Sequence, residues 1–337
     1  MNYQSGAFLH DHHCRFTVWA PFRDTVEIIV NDQRTEKMKP LERGYWEVTL
    51  DQIKAGDLYK FVLDNDLKRP DPTSLSQPEG VHGPSEVIDR QAFAWTDTYW
   101  KGIPMQQMII YELHVGTFTD EGTFHGVAEK LDYLLELGVN TIEIMPVAQF
   151  PGERNWGYDG VYPFAVQDSY GGVEGLKSLV NQCHQKGIAV ILDVVYNHMG
   201  PEGNYLNDYG PYFTDKYHTP WGKAINFDDA HSDQVRAFFL QNALMWLDEF
   251  HIDGLRLDAV HAIKDMGARH FLSELSEAVR KLEESQLRHL PLIAECDLND
   301  AKYISPHSRG GYGLTGQWID EFHQTGKRLQ NGSLIPS

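Results

Sequence analysis

The stretch "IAVILDVVYNH" (188–198) decides the fold class. Its first eight residues are apolar almost without interruption. They read as a strand covered on both faces, the pattern of a parallel sheet. One acid, Asp193, breaks the run near its C-terminal end, and Asn197 and His198 follow. Upstream, Leu176, Leu179, Val180 and Cys183 recur at helical spacing and stop at Gly187. Downstream, Val235, Phe238, Phe239 and Trp246 outline a long helix before "IDGLRLD" (252–258). The same alternation runs outward in both directions. "MIIYELHV" (108–115) is a buried strand, Val127, Leu131, Leu134 and Leu135 mark a helix face ended by Gly138, and "VNTIEIMPV" (139–147) is the next strand. "FLSELSEAVRKL" (271–282) is helical, "PLIAE" (291–295) is a strand, and "GQWID" (316–320) is one more. Repeated strand–helix units predict an α/β fold with a parallel sheet, closed as a (β/α)8 TIM-type barrel. About six such units are counted, and the expectation is that two of the eight are missing.

Residues 1–97 have a different texture. "RFTVWAP" (15–21), "TVEIIVN" (25–31), "GYWEVTL" (44–50) and "DLYKFVLD" (57–64) are short, alternating or β-branched runs. "RPDPTSLSQPEG" (69–80) reads as loop. The expectation is an N-terminal immunoglobulin-like β-sandwich over 1–97, and a catalytic barrel, incomplete at its C-terminal end, over 98–337. The 337 residues are 42% hydrophobic and carry a formal net charge of −19. Such a charge argues against a nucleic-acid partner and suits a neutral one. Three scattered cysteines have no metal-type spacing. No apolar segment follows a basic head at the start, and no window approaches ~18 continuous apolar residues. The expected address is the cytoplasm, with no membrane contact.

Polar residues at strand ends carry the chemistry. "GLRLDAVH" (254–261) places Arg256 and Asp258 on one face of a strand, with His261 beyond them. "LIAECD" (292–297) ends its strand at Glu295. In a TIM-type barrel the C-terminal strand ends form the active site. Asp258 and Glu295 then make a carboxylate pair of the kind glycoside hydrolysis needs, roughly 5–5.5 Å apart in a retaining enzyme. Arg256 would keep the nucleophile ionised, and a drier Glu295 would keep its proton longer. A structural ion pair is the plainer reading of Arg256 and Asp258, and structural roles are the plainer reading of Asp193, His198 and His261. The loop "QFPGERNWGYDGVYPFAV" (149–166) offers Trp156 and Tyr158 as flat faces for sugar rings and Asp159 as a hydroxyl acceptor. Aromatic packing alone would also explain it. "HDHHC" (10–14) reads as a solvated turn, not a metal site.

"DVVYNH", "GLRLDAVH" and "LIAE" resemble, in order, the first three signature regions of the α-amylase superfamily, glycoside hydrolase family 13. "YELHVGTFTDEGTF", "IEIMPVAQFPGERNWGYDGVY", "DVVYNHMGPEGNYL", "YFTDKYHTPWG", "NALMWL" and "IAECDLND" narrow the resemblance to its malto-oligosyltrehalose trehalohydrolase branch. The resemblance implies that Asp258 is the nucleophile and Glu295 the general acid/base. It implies that Tyr158, Asp193, Asn197, His198 and Arg256 hold the cleaved glucose, with His261 a neighbouring contact. It implies hydrolysis of the α-1,4 bond beside a terminal trehalose unit of maltooligosyl trehalose, with retention and without metal or other cofactor. The fourth signature region, with the family's third catalytic Asp, has no counterpart here; Asp320 and Glu321 do not replace it. The expectation is therefore a truncated chain of low activity, prone to self-association through open barrel edges. Glycogen branching or debranching, or glucan binding without turnover, stand as alternatives.

Overall fold

The computed structural model describes residues 4–319. At the N-terminus, alternating side chains pack two antiparallel sheets face to face. One sheet joins Gly6–His10, His13–Trp19, Tyr45–Asp51 and Lys39–Pro40. The other joins Arg34–Lys37, Val26–Val30, Leu58–Leu63 and Leu67–Arg69, with Ser85–Glu86 added against Leu58–Leu63. Phe16, Val18, Ile28, Tyr59 and Phe61 fill the space between. The Phe16 and Tyr59 rings meet edge to face at 4.9 Å, a favoured aromatic geometry. "HDHHC" is a turn between two strands, and His13 pairs at its exposed end with Asp51 at 2.6 Å.

The second sheet type follows from the apolar runs. Six strands lie parallel and in chain order: Ile110–Leu113, Thr141–Ile144, Ala189–Val194, Gly254–Leu257, Leu292–Glu295 and Gly316–Trp318. The second, third and fourth are buried at every position, as strands covered on both faces must be. Helices Gly172–Gln185, Ser232–Asp248 and Phe271–Gln286 form part of the outer layer, and the stripes predicted on the first two are buried. The register puts Glu112 beside Glu143, Asp193 beside Arg256, and Glu295 beside Trp318. Asp320 and Glu321 fall outside the described residues.

Several local expectations shift. The Val127–Leu135 stripe forms two short helices, Phe124–Ala128 and Leu131–Glu136. Leu135 sits about 100° past Leu134 on the helix and is 38% exposed. The first parallel strand ends at Leu113, and Val115–Phe118 coils into a helical turn. The 149–166 segment is only half a loop: Ala148–Gln149 pairs antiparallel with Tyr162–Val166, which is buried throughout.

The polar segment 70–77 is irregular, as expected, yet buried. It lies at the seam between sandwich and barrel, where one apolar cluster spans both. Its polar groups are satisfied locally. Asp71 accepts from the Thr73 amide and hydroxyl and from the Tyr59 hydroxyl, at 2.7–2.8 Å. Arg69 pairs with Asp208 at 2.6 Å, and Arg90 holds both oxygens of Glu249 at 2.8 and 2.9 Å. Among the described residues, no helix is long and apolar enough to cross a membrane.

Candidate active site

The polar residues predicted at the strand ends converge at one end of the parallel sheet. The third strand delivers Asp193 and, just beyond it, Asn197 and His198. The fourth delivers Arg256 and then Asp258, and the fifth ends on Glu295. Alternation puts Asp193, Arg256 and Asp258 on one side, away from Leu192, Leu255 and Leu257.

Arg256 is the hub. Its Nη1 donates to Asp193 Oδ2 at 2.7 Å and to Asp258 Oδ1 at 3.1 Å. Asn197 Nδ2 donates to the other Asp258 oxygen at 3.3 Å. Asp258 is thus held at both oxygens, with a side chain 14% exposed. Such charge-assisted hydrogen bonds fix the orientation of the carboxylate. The Tyr158 hydroxyl donates to Asp193 at 2.8 Å. Burial pushes the Tyr158 hydroxyl well above its usual range, and the Asp193 charge adds to that. Burial also pushes Asp193 up, against the pull of Arg256.

Asn197, His198 and Tyr158 are tied into one network. His198 Nδ1 lies 2.9 Å from Asn197 Oδ1, and its Nε2 lies 2.9 Å from the Tyr158 carbonyl. The Tyr158 loop reaches this position because glycine lets backbones meet. A Cβ on Gly200 would lie 2.1 Å from the Asp159 carbonyl oxygen, and one on Gly157 would lie 2.1 Å from that of Pro146. Asp159 is exposed and accepts from Asn155 Nδ2 at 2.8 Å.

Glu295 reaches across to the fourth strand. Its Oε2 accepts from the Ala259 amide at 2.7 Å. Ala259 has a left-handed backbone, φ 40° and ψ 52°, which turns that amide toward Glu295. A non-glycine residue there is strained on the order of 1 kcal/mol. Glu295 and Asp258 are both half-buried, so the drier setting expected of Glu295 is not seen in its exposure.

The outer residues are less tightly held. Trp156 is 74% exposed at the loop tip. His261 is exposed in the short turn Val260–Ala262. The sequence reading missed Trp221. It sits in the turn of a hairpin, Phe213–Thr219 with Gly222–Ile225, and lies nearly parallel over His198 at 5.0 Å. It also missed Glu143, whose buried carboxylate lies 3.9 Å from Arg256 Nε. The alternation of "NTIEIM" held the signal, since Glu143 is the one acid inside that buried run. A separate group, Glu121, His125 and Glu129, clusters on an exposed surface. Its three exposed groups fit a solvated face.

Comparison with known proteins accounts for both parts of the chain. Residues 2–75 match the carbohydrate-binding module 48, the isoamylase N-terminal domain, and residues 85–221 match the α-amylase catalytic domain. A malto-oligosyltrehalose trehalohydrolase of Saccharolobus solfataricus is 51% identical over 318 residues, covering 94% of this chain and 55% of that protein. A 1,4-α-glucan branching enzyme of Geobacillus stearothermophilus is 32% identical over 90% of this chain and 53% of its own length. A crystal structure of an α-amylase-type protein from Salmonella typhimurium superposes with a TM-score of 0.89 at 38% identity, covering 99% of this chain and 56% of that one. The chain thus spans about half the length of the relatives it matches.

Proposed function

Because the chain belongs to the α-amylase superfamily, we propose that its strand-end carboxylates serve retaining hydrolysis of an α-1,4-glucosidic bond. The bond in question lies beside the terminal trehalose of maltooligosyl trehalose, and trehalose is the product. The observation that carries the reading is the seating of Asp258. It is held at both oxygens by Arg256 and Asn197, one residue from the amide that binds Glu295.

In this reading Asp258 attacks the anomeric carbon while Glu295 protonates the leaving glycosidic oxygen. Water then cleaves the glycosyl ester, and Glu295 takes its proton. Tyr158, Asp193, Asn197, His198 and Arg256 grip the glucose unit being cleaved. His261, Trp156 and Asp159 contact units further out. We assign the sandwich, 1–97, to glucan contact and 98–337 to catalysis. The chain works without metal or cofactor, in the cytoplasm, with neither nucleic acid nor membrane as partner.

The test is incubation of the purified chain with maltooligosyl trehalose and, separately, with a branched glucan. Free trehalose is expected, at a low rate. Altered branching of the second substrate would instead point to a branching or debranching enzyme. Sugar binding that survives Asp258→Asn, with no turnover by the parent chain, would make it a glucan-binding protein.

A further inference from the structure

Arg256 faces three carboxylates, and the reaction just described uses only two of them. Asp193 and Asp258 share its Nη1. Glu143, on the second parallel strand, approaches the opposite edge of the guanidinium, with Oε1 3.9 Å from Nε. The Glu143 side chain is fully buried, and neither of its oxygens accepts a hydrogen bond. Arg256 Nε likewise has no hydrogen-bond partner. A buried carboxylate with no donor is costly unless it is neutral or shares a cation.

We propose that Glu143 is a positioning residue for Asp258 acting through Arg256, its protonation state deciding whether the guanidinium is left to Asp193 and Asp258 or shared with a third carboxylate. The charged and titratable groups around it come from every neighbouring element. They are Glu112 on the first strand, Asp193 on the third and Arg256 on the fourth, with Asp258 linked through Arg256 and Tyr158, from the loop above, through Asp193. Burial pushes the Glu143 carboxyl up to about 7; Arg256 pulls it down and Glu112 pushes it further up. Below that value Glu143 is neutral and Arg256 serves Asp258. Above it, an ionised Glu143 draws the Nε edge toward itself and weakens the hold on Asp258.

The proposal rests on Asp258 being the nucleophile, so two readouts separate the two ideas. The first is the Arg256 Nε–H resonance in a nitrogen-15 NMR titration of the full chain, assigned with Arg256→Lys. It is expected to shift with a midpoint near the Glu143 value in the parent and to stay flat in Glu143→Gln. A flat parent titration overturns the proposal, whether or not the variant folds. The second is covalent trapping by 5-fluoro-α-glucosyl fluoride, read by intact mass. In that step Asp258 forms a bond to the anomeric carbon and fluoride leaves with its electron pair, so no proton from Glu295 is needed. The parent is expected to label several-fold more slowly as pH rises through the Glu143 midpoint, because the guanidinium that orients Asp258 is then shared. Glu143→Gln is expected to lose that fall while half-saturating at the same probe concentration. An unchanged pH profile in the variant overturns the proposal. A parent that never labels at Asp258 removes the nucleophile reading, and the NMR titration then decides the Glu143–Arg256 coupling by itself.

Discussion

At the scale of single residues, the site is held together by shared charge. One guanidinium orders two carboxylates, and a phenol hydroxyl completes one of them. In the proposed reaction Asp258→Asn and Glu295→Gln are each expected to lower kcat by orders of magnitude with little change in binding, because both groups would act mainly in the transition state. The measurement is steady-state trehalose release; a near-normal rate in either variant rejects the assignment. Tyr158→Phe leaves Asp193 short of one donor in a buried setting. It is expected to cost about 1–3 kcal/mol of stability, read as a lower denaturation midpoint with the fold retained by circular dichroism. Most of this was legible in sequence, because an acid in an apolar strand is conspicuous. Ala259 was not legible: nothing in the letter A announces a left-handed residue whose amide meets Glu295. Trp221 was hidden for another reason. Its role depends on a hairpin that brings it over His198, more than twenty positions away in the chain.

Among the elements, the strands were readable and the connections were not. Ala189–Val194 carries its fold class in its own composition, whereas the segment 70–77 looks like surface loop and is buried. Its polar side chains are satisfied partly within the segment, as Asp71 by Thr73, and partly by Tyr59 and Ser85, which the fold brings alongside. The same holds at the opposite end of the sheet from the acids. There His184, on helix Gly172–Gln185, is buried between Asp97 at 2.7 Å and Asp253 at 2.9 Å. His251 shares the same Asp97 oxygen at 2.8 Å, Trp100 stacks on His184, and Trp100 Nε1 and Arg288 Nη2 reach Asp253. This latch ties the segment around residues 95–100 to the barrel. Burial lowers the His184 pKa, but Asp253 and then Asp97 reverse that and raise it above its usual value. Burial opposes ionisation of Asp97, yet His184 and His251 hold it well below the carboxylate range. The His184 contribution is therefore complete below the unfolded-state pKa and is lost as pH rises through the raised folded value. The Asp97 contribution is lost as pH falls through its lowered one. His184→Gln is expected to cost about 3 kcal/mol at mildly acidic pH, and less as the solution becomes alkaline. Thermal denaturation from about pH 5 to about pH 9 reads this difference, and a pH-independent gap would reject it.

At the scale of the whole molecule, the parallel sheet is open among the described residues. Among the described residues, the first and sixth strands have no neighbour on their outer sides. Ile109 and Tyr111 flank the first of these edges at 58% and 36% exposure, and Tyr133 and Leu137 beside it are 53% and 54% exposed. An uncovered edge with apolar side chains around it invites pairing. Dilute samples are expected to be monomeric and concentrated ones to associate, as light scattering across a dilution series would read. A concentration-independent monomer mass would argue against it. The seam between sandwich and barrel adds a condition of timing. Arg90 precedes its partner Glu249 by 159 residues, and Arg69 precedes Asp208 by 139. On a ribosome adding about 5–20 residues per second, the sandwich waits on the order of 10–30 s for those partners to emerge. During that interval its barrel-facing side, including the buried Asp71 network, is a nascent surface. The N-terminal region is thus a stretch on which chaperone attendance during synthesis would be concentrated.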